Sequence, residues 1–203
     1  TEAFGNDPNP RKVNLGVGIY CDDNGKVPLL DCVKRAEREM ADKAAPRSYL
    51  PIDGIPAYDK AVQRLLLGAD SEIVALGRAV TVQALGGTGG LKVGADFLRR
   101  FAPAQVWISD PSWENHRALF EGAGFEVNVY PYYDAPTHGL DFAAMRASLD
   151  AMQPGTIVVL HACCHNPTGV DPTSAQWDEI LTIVRARGLV PFLDLAYQGF
   201  GDG

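Results

Sequence analysis

The segment Thr156-Ile157-Val158-Val159-Leu160-His161-Ala162-Cys163-Cys164-His165-Asn166-Pro167-Thr168-Gly169 restricts the possible folds more than any other part of the chain. A short β-branched apolar run that is stopped by Pro and Gly reads as a strand buried on both faces, with its polar residues delivered to the following loop. Such strands belong to parallel sheets covered by helices, and open sheets of that kind hold ligands beyond their carboxyl ends. A second run, Leu189-Val190-Pro191-Phe192-Leu193, ends the same way in Asp194, with Tyr197 three residues on. Two strand ends therefore present His, Asn, Asp and Tyr to one edge.

The rest of the chain alternates in the same sense. Ala79–Leu85 is strand-like, Gly86-Gly87-Thr88-Gly89-Gly90 is a turn, and Leu91, Ala95 and Leu98 mark one face of a helix reaching Phe101. Val106–Ser109 and Phe125–Tyr130 read as strands, and Asp141 opens a helix with Phe142, Met145, Leu149 and Met152 on its inner face. Thr173-Ser174-Ala175-Gln176 has the form of a capping box, and the helix it opens buries Trp177, Ile180, Leu181 and Val184 and ends at Gly188. Nearer the start, a helical pattern runs from Leu30 through Met40, and another follows Pro56 with Tyr58, Val62, Leu65 and Leu66 as its inner stripe. Alternating strands and helices between residues 79 and 194 predict an α/β fold, a largely parallel sheet flanked by helices with right-handed crossovers.

Composition narrows the function. Of the 203 residues, 46% are hydrophobic and 21% charged, enough apolar material for one sizeable core. The net charge of -7 and the scattered Lys and Arg argue against nucleic acid and anionic membranes and for a small-molecule substrate. No apolar run approaches the ~20 residues that span a bilayer, and the first residues lack a signal-sequence pattern. The expectation is a soluble, cytoplasmic protein. Cysteines 21, 32, 163 and 164 are too few and irregular for a disulfide framework, so reduced thiols are expected. His161, Cys163, Cys164 and His165 are read as no metal site, because successive strand residues point to opposite faces.

The loops carry the candidate chemistry. Strand, glycine-rich turn and helix is the arrangement that aims free N–H groups and a positive dipole end at an anion, so Gly87 and Thr88 are candidates for a phosphate; the bland alternative is a tight connection. Trp113 lies just beyond a strand end, where an aromatic face can cover a flat ligand or serve only for packing. Asp194, on an apolar strand, is costly to leave charged and alone; a pyridinium nitrogen would compensate it, unless it is a structural acid capping a loop. Asn166 and Tyr197 can hydrogen-bond a ring oxygen. The set matches a planar, phosphorylated heteroaromatic cofactor whose protonated ring acts as an electron sink.

In order and spacing, Val13–Tyr20, Tyr49–Gly54, Gly86–Gly89, Ser109–His116, His161–Gly169 and Asp194–Gly199 resemble successive motifs of the class I aspartate and aromatic-amino-acid aminotransferases, fold type I enzymes that use pyridoxal 5'-phosphate. Cys163–Gly169 together with Asp194-Leu195-Ala196-Tyr197-Gln198-Gly199 is the most specific part. Ser48–Pro51 and Pro191–Gly201 are closer to the bacterial aromatic-amino-acid (tyrosine) branch. The resemblance implies that Gly87 and Thr88 bind the cofactor phosphate, that Trp113 stacks on the ring, and that Asp194 pairs with the pyridine nitrogen with His116 behind it. Asn166 and Tyr197 would hold the ring oxygen, and His161 would support Asp194 or the ring. Gly18 would meet the substrate carboxylate, with Trp113 and Asn166 also facing substrate, and Tyr49 would reach the phosphate of a neighbouring subunit in a homodimer. Asp194, Tyr197 and Trp113 are the residues expected to matter for catalysis.

The family's Schiff-base lysine and carboxylate-binding arginines lie downstream of the Asp-x-Ala-Tyr motif, and none of Lys12, Lys26, Lys34, Lys43, Lys60 or Lys92 stands in a matching context. The chain is therefore expected to be the N-terminal portion of a longer transaminase, inactive alone. Residues 1–30 would form an arm and substrate-contact segment, and residues 31–203 part of the cofactor-binding large domain. The reaction implied is amino transfer between an aromatic or acidic L-amino acid and a 2-oxo acid. Aspartate aminotransferase proper is the alternative within the class. A nucleotide-dependent oxidoreductase, using Gly86–Gly90 as its phosphate loop and Asp110 as its acidic partner, is the alternative outside it.

Overall fold

The computed structural model describes all residues except 1, 15, 17, 103, 202 and 203. The chain forms two compact units, Thr1–Tyr49 and Leu50–Gly203. In the first, α1 (Glu2–Asn6) is held by Lys12, whose Nζ donates to the carbonyl of Asp7 at 2.7 Å and lies 4.6 Å from the Phe4 ring centroid. Asp22 Oδ1 then accepts the N–H groups of Asn24 and Lys26, closing a turn before α2 (Asp31–Lys43). No residue of α2 is buried, and Val33 and Met40 of its expected inner face are exposed. Leu15 and Val17 of the Val13–Tyr20 segment lie outside the described residues.

The second unit opens with α3 (Pro56–Leu67), in which Pro56 takes the first turn as expected, and the short α4 (Glu72–Ala75). The predicted inner stripe of α3 is not buried: Tyr58, Leu65 and Leu66 are exposed, and Asp59 is the buried residue of this helix. Ala79–Leu85 is likewise not a strand. Its backbone is engaged elsewhere, with Gln83 N donating to Asp53 O at 2.8 Å and Gln63 Nε2 donating to Ala79 O at 3.3 Å, so no ladder forms. Gln83 in turn demands glycine at 54. A Cβ there would stand 2.3 Å from Gln83 Cβ, at a φ of +110° that side chains rarely adopt.

α5 (Gly86–Phe101) begins within the glycine run, which is therefore the first turn of the helix and not a separate turn before it. β1 (Val106–Asp110), α6 (Glu114–Gly122) and β2 (Val127–Pro131) follow; then come a small antiparallel pair that no sequence signal announced, β3 (Tyr133–Asp134) and β4 (Gly139–Leu140), and α7 (Phe142–Ala151). β5 (Ile157–His161), α8 (Ser174–Arg187) and β6 (Val190–Asp194) complete the unit. The main sheet is parallel, in the order β2-β1-β5-β6. The α/β expectation, a parallel sheet flanked by helices, is borne out.

Every residue of β5 is buried, as its apolar run predicts. On one face Ala95, Phe120, Val106, Ile108, Ile157 and Val159 pack together, under α5 and α6; on the other, Met145, Leu149, Val158, Leu160, Ile180 and Val184 pack under α7 and α8. Full burial of each large apolar side chain contributes about 1.5–3 kcal/mol, and β5 feeds both cores. Asp141 caps α7 through Ala144 N, and the Thr173/Gln176 capping box opens α8. Leu181, expected on the buried stripe of α8, is instead exposed. No helix among the described residues is long and apolar enough to cross a membrane.

Candidate active site at the strand ends

The chain leaves β1 for β2 on one side, then returns past β1 to β5 and β6 on the other, so strand order reverses between β1 and β5. Ligands of open α/β sheets bind at such a point. Here the two strands also separate. β1 and β5 pair only at Val106↔Ile157 and Trp107↔Val158, whereas β5 and β6 stay in register from Ile157↔Val190 to His161↔Asp194. The Val159 carbonyl accepts instead from the buried Tyr130 hydroxyl at 2.8 Å, and burial raises that phenol's pKa and keeps it protonated.

Histidines fill the opening. Asp194 ends β6, and its Oδ2 lies 2.7 Å from Nε2 of the fully buried His116 on α6. His116 Nδ1 meets Ser112 Oγ at 2.8 Å, so both ring nitrogens are engaged. The hydrogen bond from His116 is the main reason the Asp194 carboxyl is held below its ordinary pKa, against the opposing effect of burial. The Trp113 ring meets His116 edge-on at 5.5 Å between centroids, and His161 approaches His116 at 4.9 Å. His161 is buried with neither nitrogen hydrogen-bonded, and burial, followed by the charge of His116, lowers its pKa to about 4.

The loop after β5 is built on His165. Its Nε2 meets Ser109 Oγ at 2.9 Å, its Nδ1 meets Thr168 Oγ1 at 2.8 Å, and its ring stacks on Tyr132 at 3.9 Å. Burial chiefly lowers its pKa to about 3, so it is a neutral strut. Asp171 clamps the same loop, accepting Cys164 N at 2.6 Å and His165 N at 2.8 Å. Asn166 follows these anchors directly. On the β6 side, the Cys163 thiol donates to Tyr197 O at 3.3 Å. Among the described residues neither the Asn166 amide nor the Tyr197 hydroxyl makes a side-chain hydrogen bond.

Trp113, His116, His161 and Asp194 thus converge directly, and the loop contacts bring Asn166 and Tyr197 to the same edge. Gly87 and Thr88 stand in the first turn of α5. They are exposed, and the helix has no side-chain cap at its start. Gly18 and Tyr49 belong to the other unit and are both exposed. Alternation does not separate the loop histidines as expected, since the strand stops at His161 and the His161 and His165 rings come within 4.2 Å. The donor atoms of His116, His161 and Asp194 lie within 4.8 Å of one another, but the 2.7 Å His116–Asp194 contact is closer than the about 3.3 Å between two ligands of one tetrahedral ion. It is a hydrogen bond.

Ser109, Ser112, Tyr132, Thr168 and Asp171 were not singled out from the sequence. Ser112 had a readable signal, four residues before His116 across a helix start. Thr168 and Asp171 lie three and six residues from His165 in the same loop, whereas Ser109 and Tyr132 meet it only through the fold.

The site lies at the switch point of a parallel α/β sheet, the position at which proteins of this class hold ligands. Residues 10–203 match the family model described as aminotransferase class I and II. The chain is 58% identical over its whole length to an aspartate aminotransferase of Pseudomonas aeruginosa and 50% identical to an aromatic-amino-acid aminotransferase of Escherichia coli, covering 51% of each. It also superposes, with a TM-score of 0.92 and 64% identity over all of this chain and 51% of the other, on an aromatic-amino-acid aminotransferase of Burkholderia pseudomallei covalently bound to pyridoxal phosphate. The chain belongs to the class I and II aminotransferase family. It spans about half the length of the curated relatives it matches.

Proposed function

We propose that this chain builds the ring pocket of a pyridoxal-phosphate-dependent aminotransferase that moves an amino group between an aromatic or acidic L-amino acid and a 2-oxo acid. The observation that carries the reading is the Asp194–His116–Ser112 chain, a carboxylate kept anionic at a strand end beside an aromatic face. The fit to the cofactor rests on complementary features: that anion, the unpartnered Asn166 amide and Tyr197 phenol, and the uncapped glycine-rich start of α5.

In this reading Asp194 holds a proton on a pyridine nitrogen, and His116 keeps Asp194 ionised and oriented. Asn166 and Tyr197 donate to the ring oxygen, Trp113 covers the ring face and excludes water, and the N–H groups at Gly87 and Thr88, with the Thr88 hydroxyl, take the phosphate. Neutral His161 lies beside the pair and supports it. Bound pyridoxal phosphate supplies an electron sink for negative charge at the amino acid α-carbon. Gly18 would meet the substrate carboxylate, together with Trp113 and Asn166.

A homodimer is part of the proposal: Tyr49, fully exposed, would reach the phosphate of a second subunit, and exposed Ile52, Leu65 and Leu66 offer apolar surface for the contact. Four unpaired cysteines fit a reducing compartment, which supports the cytoplasm. Close relatives carry both aspartate and aromatic names, so either substrate class fits the family. The nucleotide-dependent alternative has no such support.

The test is titration of the full-length protein with pyridoxal phosphate, followed by amino transfer from tyrosine and from aspartate to 2-oxoglutarate. Binding with a shifted cofactor absorption band, and turnover that Asp194→Ala cuts by several orders of magnitude, are expected. Nicotinamide nucleotide binding without pyridoxal phosphate binding would overturn the reading.

A further inference from the structure

Three histidine rings meet at the strand ends, and their nitrogens are not equally committed. Both nitrogens of His165 are taken, by Ser109 Oγ at 2.9 Å and Thr168 Oγ1 at 2.8 Å. His116 gives one nitrogen to Ser112 and the other to Asp194. His161 is only 8% exposed, and among the described residues neither of its nitrogens has a hydrogen-bond partner. A buried imidazole with both nitrogens idle is costly, and such a group calls for a ligand. The idle ring is also well aimed. One donor atom each from His116 on α6, His161 on β5 and Asp194 on β6 lie within 4.8 Å of one another.

We infer that His116 Nε2, His161 and an Asp194 oxygen form a binding site for a divalent transition ion of the zinc class, with a fourth position open to water. The ion replaces the 2.7 Å hydrogen bond between His116 and Asp194. The ring proton of neutral His116 moves from Nε2 to Nδ1, and the Asp194 oxygen draws back by about 0.6 Å to the spacing of tetrahedral ligands. Ser112 Oγ, 2.8 Å from Nδ1, then accepts from the relocated proton, which is the outer support a ligating histidine needs. Asp194 has room for the adjustment, because it ends its strand and its side chain is 14% exposed.

His161 is ready to ligate at neutral pH: burial lowers its pKa to about 4, so no proton has to be removed from it. Two imidazoles and one carboxylate suit zinc, cobalt and copper, and discriminate against magnesium and calcium, which take oxygen ligands. The ion occupies the carboxylate that the proposed function gives to a pyridine nitrogen, so metal and cofactor exclude one another. That consequence alone rests on the cofactor reading.

The experiment titrates Co²⁺ into the full-length protein, stripped with chelator and free of pyridoxal phosphate, and follows the visible absorption of four-coordinate cobalt. One ion per chain is expected, displaced by Zn²⁺ but not by about a hundredfold excess of Mg²⁺. His161→Phe, which breaks no hydrogen bond, should weaken binding by more than about a hundredfold, and Ser112→Ala by about tenfold to a hundredfold. His138→Ala and Cys21→Ser/Cys32→Ser, which remove exposed side chains, should leave it unchanged. No cobalt binding, binding that survives His161→Phe or is lost in His138→Ala, or a sulfur-to-cobalt charge-transfer band overturns the inference, whether or not pyridoxal phosphate binds. Added pyridoxal phosphate should release the cobalt, and both held at once overturns the exclusion. Cobalt binding with this variant pattern in a protein that takes no pyridoxal phosphate sinks the cofactor reading alone.

Discussion

His116 Nε2 stands 2.7 Å from Asp194 Oδ2, joining α6 to the last residue of β6 across 78 positions of sequence. The carboxyl is held below its usual pKa, chiefly by this hydrogen bond. A lowered carboxylate pKa stabilises the fold above the unfolded value near pH 4, and that stability is lost as pH falls through the folded value. Asp194→Asn should therefore cost about 3 kcal/mol at neutral pH, the scale for breaking a largely buried pair, and progressively less below pH 4. Urea unfolding of both proteins across that range checks it.

His161 should lower stability with falling pH as well, but at higher pH and because burial penalises its charged form. Its folded pKa of about 4 lies below the ordinary 6.5, so the unfolded chain binds the extra proton and stability falls as pH drops from 6.5 towards 4. Because neither ring nitrogen has a partner, His161→Phe removes a penalty without breaking a hydrogen bond. The variant should match the parent within about 1 kcal/mol at pH 7 and exceed it by about 2 kcal/mol at pH 5. Denaturant midpoints at the two pH values decide this, and an equal difference at both would refute it.

Asp171 holds two consecutive N–H groups with one carboxylate. Asp171→Ala leaves both without that acceptor and should cost about 2–3 kcal/mol. Amide exchange at Cys164 and His165 should accelerate by more than tenfold while that of β5 at Val158 and Val159 changes far less. On the proposed reading, the same change in the full-length protein should weaken retention of pyridoxal phosphate through Asn166.

Gly94 lies where α5 crosses β6, and a Cβ there would come within 2.9 Å of the Phe192 ring, which is already set edge-on to Phe120 at 5.2 Å. Gly94→Ala should destabilise by about 1–3 kcal/mol despite its better helix propensity. Combination with Phe192→Leu should recover part of the loss, measured as a non-additive double-mutant cycle.

Local pattern was enough for the elements that carry their own signals. β5 is legible because an apolar run buried on both faces needs no information beyond itself, and the Thr173/Gln176 box and the Asp141 cap are hydrogen bonds between residues three apart. Asp194, Asn166, Tyr197 and Trp113 were readable as strand-end residues for the same reason. Where sequence reasoning failed, the outcome depended on partners distant in the chain. Ala79–Leu85 has strand composition, yet its hydrogen bonds go to Asp53 and Gln63. The stripe on α3 has helical spacing, yet Leu65 and Leu66 are exposed.

What the amino-acid order determined by itself is the alternation that makes a parallel sheet and the delivery of an acid, an amide, a phenol and an indole to its carboxyl edge. Only the tertiary structure decided that β1 and β5 part after Trp107 and Val158, that His116 rather than water meets Asp194, and that Asp171 and Ser109 hold the loop bearing Asn166. The physical reason is range: periodicity and caps act over a few residues of chain, whereas a buried charge or ring nitrogen takes whichever partner the packing of separate elements brings within about 3 Å.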